Sequence, residues 1–216
     1  KRQVHCEDEK TINSNLITYY EKYGEDIPIQ FHPEIRSEDA CYISSSMAVN
    51  LAKKYNTRLH VFHLSTAKEL ELFDNNFPLK NKMITSEVCI HHLTFTNADY
   101  KIHGSKIKWN PAIKTGTDKE ALWKAINNDL IDVIATDHAP HTFSEKLNPY
   151  TTCPSGGPLV QHSLVSVLEG FHNRKITLEK IVEKMCHNPS ILFDIDKRGF
   201  ISCLLYTSPS PRDTRE

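Results

Sequence analysis

The chain has 216 residues with 26 basic and 27 acidic side chains, enough to bury one domain core and too balanced in charge to present a basic face to nucleic acid. No stretch approaches the roughly 20 apolar residues of a membrane span, and the amino terminus has no apolar signal segment. The six cysteines are scattered without a Cys-x-x-Cys pair, which predicts free thiols in a cytoplasmic protein.

Strand and helix patterns alternate along the chain. The first predicted strand ends at His5. The others cover 59–63, 82–90 and 132–136, and a shorter extended piece covers 107–110. The predicted helices cover 11–23, 37–55, 66–75, 119–128, 159–172 and 178–187. Ser37 is the predicted N-cap of the second helix, and its buried side is expected to contain Ala40, Ile43, Met47, Val49 and Leu51. This alternation implies a parallel α/β sheet, closed or open.

The most informative stretch is 131–141, where a short apolar strand runs into Asp137, His138, Pro140 and His141. A carboxylate and imidazoles at the carboxyl end of a buried strand are typical of the catalytic end of an α/β barrel. The alternative is that Asp137 only caps a following helix, but Pro140 and the polar residues after it favour a long loop.

Two other predicted strands end in the same way, with His5 and His63. Any one of these side chains alone would be an ordinary hydrogen-bonded residue. Together, imidazole and carboxylate ligands from separate strands suit zinc, iron or manganese, and the cysteines show no pattern of a structural zinc site. The sequence therefore predicts a catalytic metal site formed by His5, His63 and Asp137.

The carboxyl-terminal segment 202–216 departs from this pattern. It contains Ser208-Pro209-Ser210-Pro211, a composition typical of disordered sequence or of a cloning artefact. We therefore predict one folded unit over 1–201 followed by a tail that does not belong to it. The absence of an initiator methionine suggests that the chain starts within a longer protein.

Six short motifs occur in a fixed order between residues 1 and 201. They are Val4-His5-Cys6-Glu7-Asp8, His63-Leu64-Ser65-Thr66, Glu87-Val88-Cys89-Ile90-His91-His92-Leu93, Asn110-Pro111-Ala112-Ile113-Lys114, Thr136-Asp137-His138-Ala139-Pro140-His141 with Glu145-Lys146, and Asn188-Pro189 followed by Arg198-Gly199. In this order they resemble the type I dihydroorotases of the amidohydrolase superfamily, particularly those of Bacteroidetes-like bacteria.

The resemblance implies a (β/α)8 TIM-like barrel with one or two Zn²⁺ ions at the carboxyl ends of its strands. It assigns His5 to strand 5, His63 to strand 6 and Asp137 to strand 8, all as metal ligands. The chain would then contain only strands 5 to 8. The ligands of strands 1 and 4, and a substrate-binding arginine after strand 1, would lie outside it.

The resemblance also implies an activity, the interconversion of N-carbamoyl-L-aspartate and dihydroorotate in pyrimidine synthesis. Asp137 would carry the proton, Asn110 would bind the cyclic imide and His141 the substrate carboxylate. Without the resemblance, Asn110 would be a turn residue and His141 a loop histidine. His91 and His92 are expected on opposite sides of a strand, with a structural role or a place behind the metal ligands.

Other interpretations remain open at the level of the sequence. The same scaffold carries dihydropyrimidinases and allantoinases, and a metal-free relative could serve as a scaffold subunit. Ser155-Gly156-Gly157-Pro158 resembles the glycine-bearing loop at which main-chain groups meet the substrate ring in this family. The expected partner is a small-molecule substrate, with no nucleic acid, no membrane and a possible homo-oligomer.

Overall fold

The computed structural model describes residues 2–201, so the predicted tail at 202–216 lies outside the described residues. Four parallel strands form one sheet in the order β1-β2-β3-β4. They are β1 Arg2–Val4, β2 Leu59–Val61, β3 Ile84–Cys89 and β4 Val133–Ala135. Because β1 and β4 each pair with a single neighbour among the described strands, the sheet is an open arc with two free edges.

Helices connect the strands and cover one side of the sheet. They are α1 Glu9–Tyr23, α2 His32–Ile35, α3 Glu38–Lys54, α4 Ile90–Thr94, α5 Tyr100–His103, α6 Gly116–Asn127, α7 Phe143–Lys146, α8 Ser163–His172, α9 Leu178–Val182 and α10 Asn188–Leu192. The predicted helix at 66–75 is a 3₁₀ turn, Lys68–Leu72. Another 3₁₀ turn, Gly104–Ile107, ends on the first residue of the piece predicted as extended. No helix within 2–201 is long and apolar enough to span a bilayer.

The two sides of the sheet differ in chemistry because successive side chains alternate across a strand. Val61, Val88 and Ile134 point to the helix side, where they pack with Leu122 and Ile126 in the main apolar core. The other side is polar. There His60 hydrogen-bonds through Nδ1 to Thr85 Oγ1 at 2.9 Å and through Nε2 to Glu87 Oε2 at 3.0 Å.

Helix α3 begins as predicted, because the Ser37 hydroxyl accepts a hydrogen bond from the Ala40 main-chain N–H. Its predicted buried side is partly wrong. Ile43, Met47 and Leu51 are 46%, 60% and 48% exposed. Ala40 and Val49 are buried as predicted, and the other buried positions are Cys41, Ser45 and Ala52. Small residues let α3 approach the sheet closely, so its larger apolar side chains turn away from it.

The exposed side of α3 forms one wall of an apolar groove beside the free edge of β1. The groove has a volume of about 550 Å³ and is lined by residues that include Val4, Met47, Leu51 and Leu59. The groove lies where the edge of the sheet at β1 has no neighbouring strand among the described residues.

Candidate functional site

His5 and His63 meet at the carboxyl ends of β1 and β2, as the sequence predicts. His5 Nδ1 lies 2.9 Å from His63 Nε2, and the two rings pack edge to face at 4.7 Å. His63 adopts a φ of +38°, a conformation that is rare for a residue with a side chain. Two imidazoles that are 58 positions apart in the sequence therefore direct nitrogen atoms at the same point.

Glu7 supports this pair from behind and was missed by the sequence analysis. Its carboxylate lies 3.1 Å from His5 Nε2 and 2.5 Å from the Arg36 guanidinium. Burial would raise the pKa of Glu7, but the hydrogen bond from His5 and the charge of Arg36 together bring it below its usual value. The ionised carboxylate accepts the Nε2 hydrogen of His5, which leaves the Nδ1 lone pair free to face His63.

The only sequence signal for this role was the acidic pair that follows His5. Of the two, Asp8 has a local function, since its carboxylate caps α1 by accepting the Thr11 N–H at 2.8 Å. Glu7 caps no helix, and its carboxylate pairs with His5 two positions earlier. An acidic residue that caps no helix and stands two positions after a candidate ligand is the feature that could have identified it.

Asp137 follows β4 by two residues and also has a positive φ, +46°. Its side chain is exposed and forms no hydrogen bond or ion pair with either imidazole in the described part of the chain. The surrounding protein atoms are the main cause of its raised pKa, the charge of Glu87 adds to the increase, and that of His5 opposes it. Asp137 thus lies within electrostatic range of the histidine pair.

The histidine pair has the donor chemistry that a divalent metal requires. Burial is the main reason why the pKa of His63 falls to about 4, with a further contribution from His5. His63 is therefore neutral at pH 7 and can offer a nitrogen lone pair to a cation. Within residues 2–201 no three His, Cys, Asp or Glu side chains form a ready metal-holding group, so the structure joins two of the three predicted ligands.

The two predicted substrate residues, Asn110 and His141, are linked by a third residue. The Ser155 hydroxyl donates to Asn110 Oδ1 at 3.0 Å, and the Ser155 main-chain carbonyl lies 3.2 Å from His141 Nε2. The loop that contains Ser155 also pairs with the loop after Asp137 through an isolated bridge between Gly157 and His138. The structure therefore places Asn110 and His141 on one connected platform.

His91 and His92 differ from their predicted positions on a strand. Both lie on the short helix α4 that follows β3, both are buried, and their ring centroids are 4.2 Å apart. His91 stacks on Trp109 at 4.6 Å, and His92 Nε2 donates to the Pro111 carbonyl at 3.0 Å. The helix begins at Ile90, so the strand alternation used to place the two histidines does not apply.

Comparison with known proteins gives close sequence relatives. No family model matches the chain. It is 32% identical over 199 residues to a dihydroorotase of Methanosphaera stadtmanae, a match that covers 92% of this chain and 45% of the relative. It is 34% identical over 197 residues to a dihydroorotase of Pyrococcus furiosus, covering 91% and 41%. The chain thus spans about half the length of the curated relatives that it matches.

Solved structures share the fold at lower sequence identity. L-hydantoinase (dihydropyrimidinase) from Arthrobacter aurescens superposes with a TM-score of 0.83 at 23% identity, covering 93% of this chain and 45% of that one. Dihydroorotase from Saccharomyces cerevisiae, in complex with 5-fluoroorotic acid, gives 0.66 at 18% identity, with coverages of 73% and 44%. These matches confirm the predicted α/β barrel fold, and the chain covers about half of the length of each of these structures.

Proposed function

Since this chain is homologous to dihydroorotases over most of its length and has the fold of the barrel amidohydrolases, we propose that it forms the carboxyl-terminal half of a zinc-dependent dihydroorotase. The complete enzyme would interconvert N-carbamoyl-L-aspartate and (S)-dihydroorotate in de novo pyrimidine biosynthesis, in the cytoplasm. The observation that carries the proposal is the convergence of His5 Nδ1 and His63 Nε2 at 2.9 Å. The two nitrogens are within hydrogen-bond distance of each other, and a cation shared by both imidazoles would take the place of the hydrogen between them.

In this proposal His5, His63 and Asp137 hold one of the one or two Zn²⁺ ions of the enzyme. A bound zinc ion supplies Lewis-acid activation of water and of the substrate carbonyl. Glu7 fixes the His5 tautomer, and burial keeps His63 neutral. The remaining ligands would come from strands outside this chain.

Asp137 is proposed as the proton carrier of the reaction. In the hydrolytic direction its carboxylate oxygen accepts a proton from the attacking water and delivers it to the ring nitrogen that leaves. A carboxylate used in this way works best when its pKa is above the ordinary value, and the pKa of Asp137 is raised. The exposed position of the side chain keeps it accessible to substrate.

Asn110 and His141 are proposed to bind the substrate, Asn110 at the cyclic amide and His141 at the carboxylate. Their connection through Ser155 supports a shared role. The complete enzyme could form a homo-oligomer.

Substitution of Asp137 tests the proposal. We expect Asp137→Asn in the complete, zinc-loaded enzyme to abolish dihydroorotate turnover and to leave thermal unfolding nearly unchanged, because an amide cannot carry the proton and the side chain makes few contacts. The exposed Asp26→Asn is the matched control. Measurable turnover by Asp137→Asn would contradict the role assigned to Asp137. If the wild-type enzyme hydrolysed dihydrouracil or allantoin in place of dihydroorotate, its activity would be that of a dihydropyrimidinase or an allantoinase.

A further inference from the structure

Ser155 makes contact with both proposed substrate residues, with its side chain to one and its main chain to the other. The hydroxyl donates to Asn110 Oδ1 at 3.0 Å. The carbonyl oxygen lies 3.2 Å from His141 Nε2. No other described residue bonds to both of these side chains.

The contact with Ser155 decides how the Asn110 amide is oriented toward a ligand. A side-chain amide carries an accepting oxygen and a donating NH₂ group. The oxygen accepts a hydrogen bond from the Ser155 hydroxyl, which fixes the orientation of the amide, and the NH₂ group has no hydrogen-bond partner among residues 2–201. Asn110 is thereby prepared to donate to an oxygen atom of the ligand.

The same reasoning fixes the orientation of His141. A main-chain carbonyl can only accept, so Nε2 of His141 carries the hydrogen that points at Ser155. The other ring nitrogen, Nδ1, makes no hydrogen bond within the described part of the chain. Nε2 of the imidazole is therefore held by Ser155, and Nδ1 is left for a ligand.

The loop that carries Ser155 is held rigidly on both sides. The Lys146 ammonium donates to the carbonyls of Lys108, Pro154 and Gly156 at 2.9–3.0 Å, which uses all three of its hydrogens. Gly156 has a φ of +131°, and a Cβ there would lie 2.6 Å from the Ala139 carbonyl oxygen. Ser155 therefore stands on a platform that cannot shift easily.

We propose that Ser155 is a positioning residue that orients the Asn110 amide so that its NH₂ group donates to a ligand oxygen, as in a carbonyl or carboxylate group, and that holds the His141 ring beside it. The inference rests on the proposed function, which makes Asn110 and His141 substrate-binding residues. It adds that Ser155 fixes the direction in which the Asn110 NH₂ group points. Removal of the Ser155 hydroxyl leaves the amide free to rotate and weakens ligand binding without removing a reacting group.

The test compares three variants of the intact, zinc-loaded protein. Ser155→Ala removes the hydroxyl, Ser155→Thr keeps it, and Ser46→Ala is the control, since the Ser46 hydroxyl bonds only to the main chain of α3. We expect Ser155→Ala to raise KM for dihydroorotate about threefold to tenfold with kcat within about twofold, the effect of losing one neutral hydrogen bond in binding. Ser155→Thr should stay within about twofold of the wild type, and Ser46→Ala should match it.

A wild-type KM in Ser155→Ala, or a Ser155→Thr variant as impaired as Ser155→Ala, would overturn the inference. A second measurement separates this from a failure of the proposed function. In ¹⁵N NMR spectra the Asn110 side-chain NH₂ signal should move in Ser155→Ala and stay in place in Ser46→Ala, whatever substrate the protein uses. An unmoved Asn110 signal would overturn the role of Ser155 even if the protein were inactive on dihydroorotate.

Discussion

His63 and Asp137 share a backbone conformation that residues with a side chain rarely adopt. Seven non-glycine residues among those described have a positive φ, and two of the three proposed metal ligands are in this group. Such conformations cost of the order of 1 kcal/mol or more and persist where the surroundings impose them, commonly at functional sites. At each position the residue with positive φ lies two residues after the end of a strand. Backbone strain is thus a second line of support for the proposed site, independent of residue type.

Glu7 gives a prediction at the scale of a single residue. We expect Glu7→Gln to lower zinc affinity about 10-fold to 100-fold, because His5 loses the carboxylate that accepts its Nε2 hydrogen. Competition with a chelator of known affinity measures the effect in the complete enzyme. Glu21→Gln, an exposed position on α1, is the matched control, and equal zinc affinity in the two variants would contradict the assigned role of Glu7.

At the scale of elements, the site depends on how two loops pack together after the last strand. The loop after β4 carries Asp137 and His141, and the loop at 154–157 lies against it. Ala139 N donates to the Gly157 carbonyl at 3.2 Å, and Gly157 itself packs so closely on Trp109 that a Cβ would lie 2.7 Å from its ring. Two glycines therefore allow an approach that any side chain would prevent.

Gly156→Ala tests this packing. We expect the substitution to destabilise the protein by about 1–3 kcal/mol, because the new Cβ would meet Ala139 at an unfavourable φ. Gly116→Ala is the control, since its Cβ would meet only Thr96 Cγ2 at 3.9 Å and α6 would gain a better helix former. Urea denaturation of the two variants should give changes in the free energy of unfolding of opposite sign. A Gly156→Ala variant as stable as the wild type would show that the loops can separate without cost.

At the scale of the whole molecule, four strands form an arc whose two edges are open. A barrel needs all of its strands to close, and the relatives are about twice as long as this chain. The exposed apolar side of α3 lies beside the free edge of β1, and unpaired strand edges promote association. The isolated 216-residue chain should accordingly associate through this region.

Two lysines on α3 should reduce that association. We expect Met47→Lys combined with Leu51→Lys to lower the concentration-dependent sedimentation of the isolated chain and to leave its circular dichroism unchanged, since both side chains are exposed. Ile102→Lys, at an exposed apolar position on α5, is the control and should have little effect. Equal sedimentation of both variants would place the contact elsewhere.

Buried histidines make the stability of the molecule dependent on pH. Burial is the main cause of the low pKa values of His32 and His92, and for His92 the value is about 3. Above pH 6.5 both are neutral in the folded and unfolded states. Below it the unfolded chain binds protons that the folded protein does not, so stability falls by up to about 1.4 kcal/mol per pH unit for each histidine.

The measurement is the free energy of unfolding between pH 7.5 and 5. His92→Gln should reduce the slope by about one proton relative to wild type, and His162→Gln serves as the control for loss of an exposed imidazole. A slope unaffected by His92→Gln would show that His92 is protonated in the folded protein.

Several features of this protein followed from the sequence because they depend on neighbouring residues. The alternation of apolar and polar residues predicted the order of strands and helices, and the Ser37 cap of α3 follows from its first turn. His5 and His63 could be placed at strand ends, and parallel strands bring their carboxyl ends to one edge of a sheet. Local pattern was therefore sufficient to predict that the two histidines lie near each other.

Other features were decided by tertiary structure because they depend on which distant segments pack together. Arg36 reaches Glu7 across 29 positions and Ser155 reaches Asn110 across 45, and no local pattern encodes either contact. The exposure of Met47 and Leu51 likewise depends on how closely α3 approaches the sheet. A hydrophobic period shows that a helix has a buried side, but the partner surface determines which residues form it.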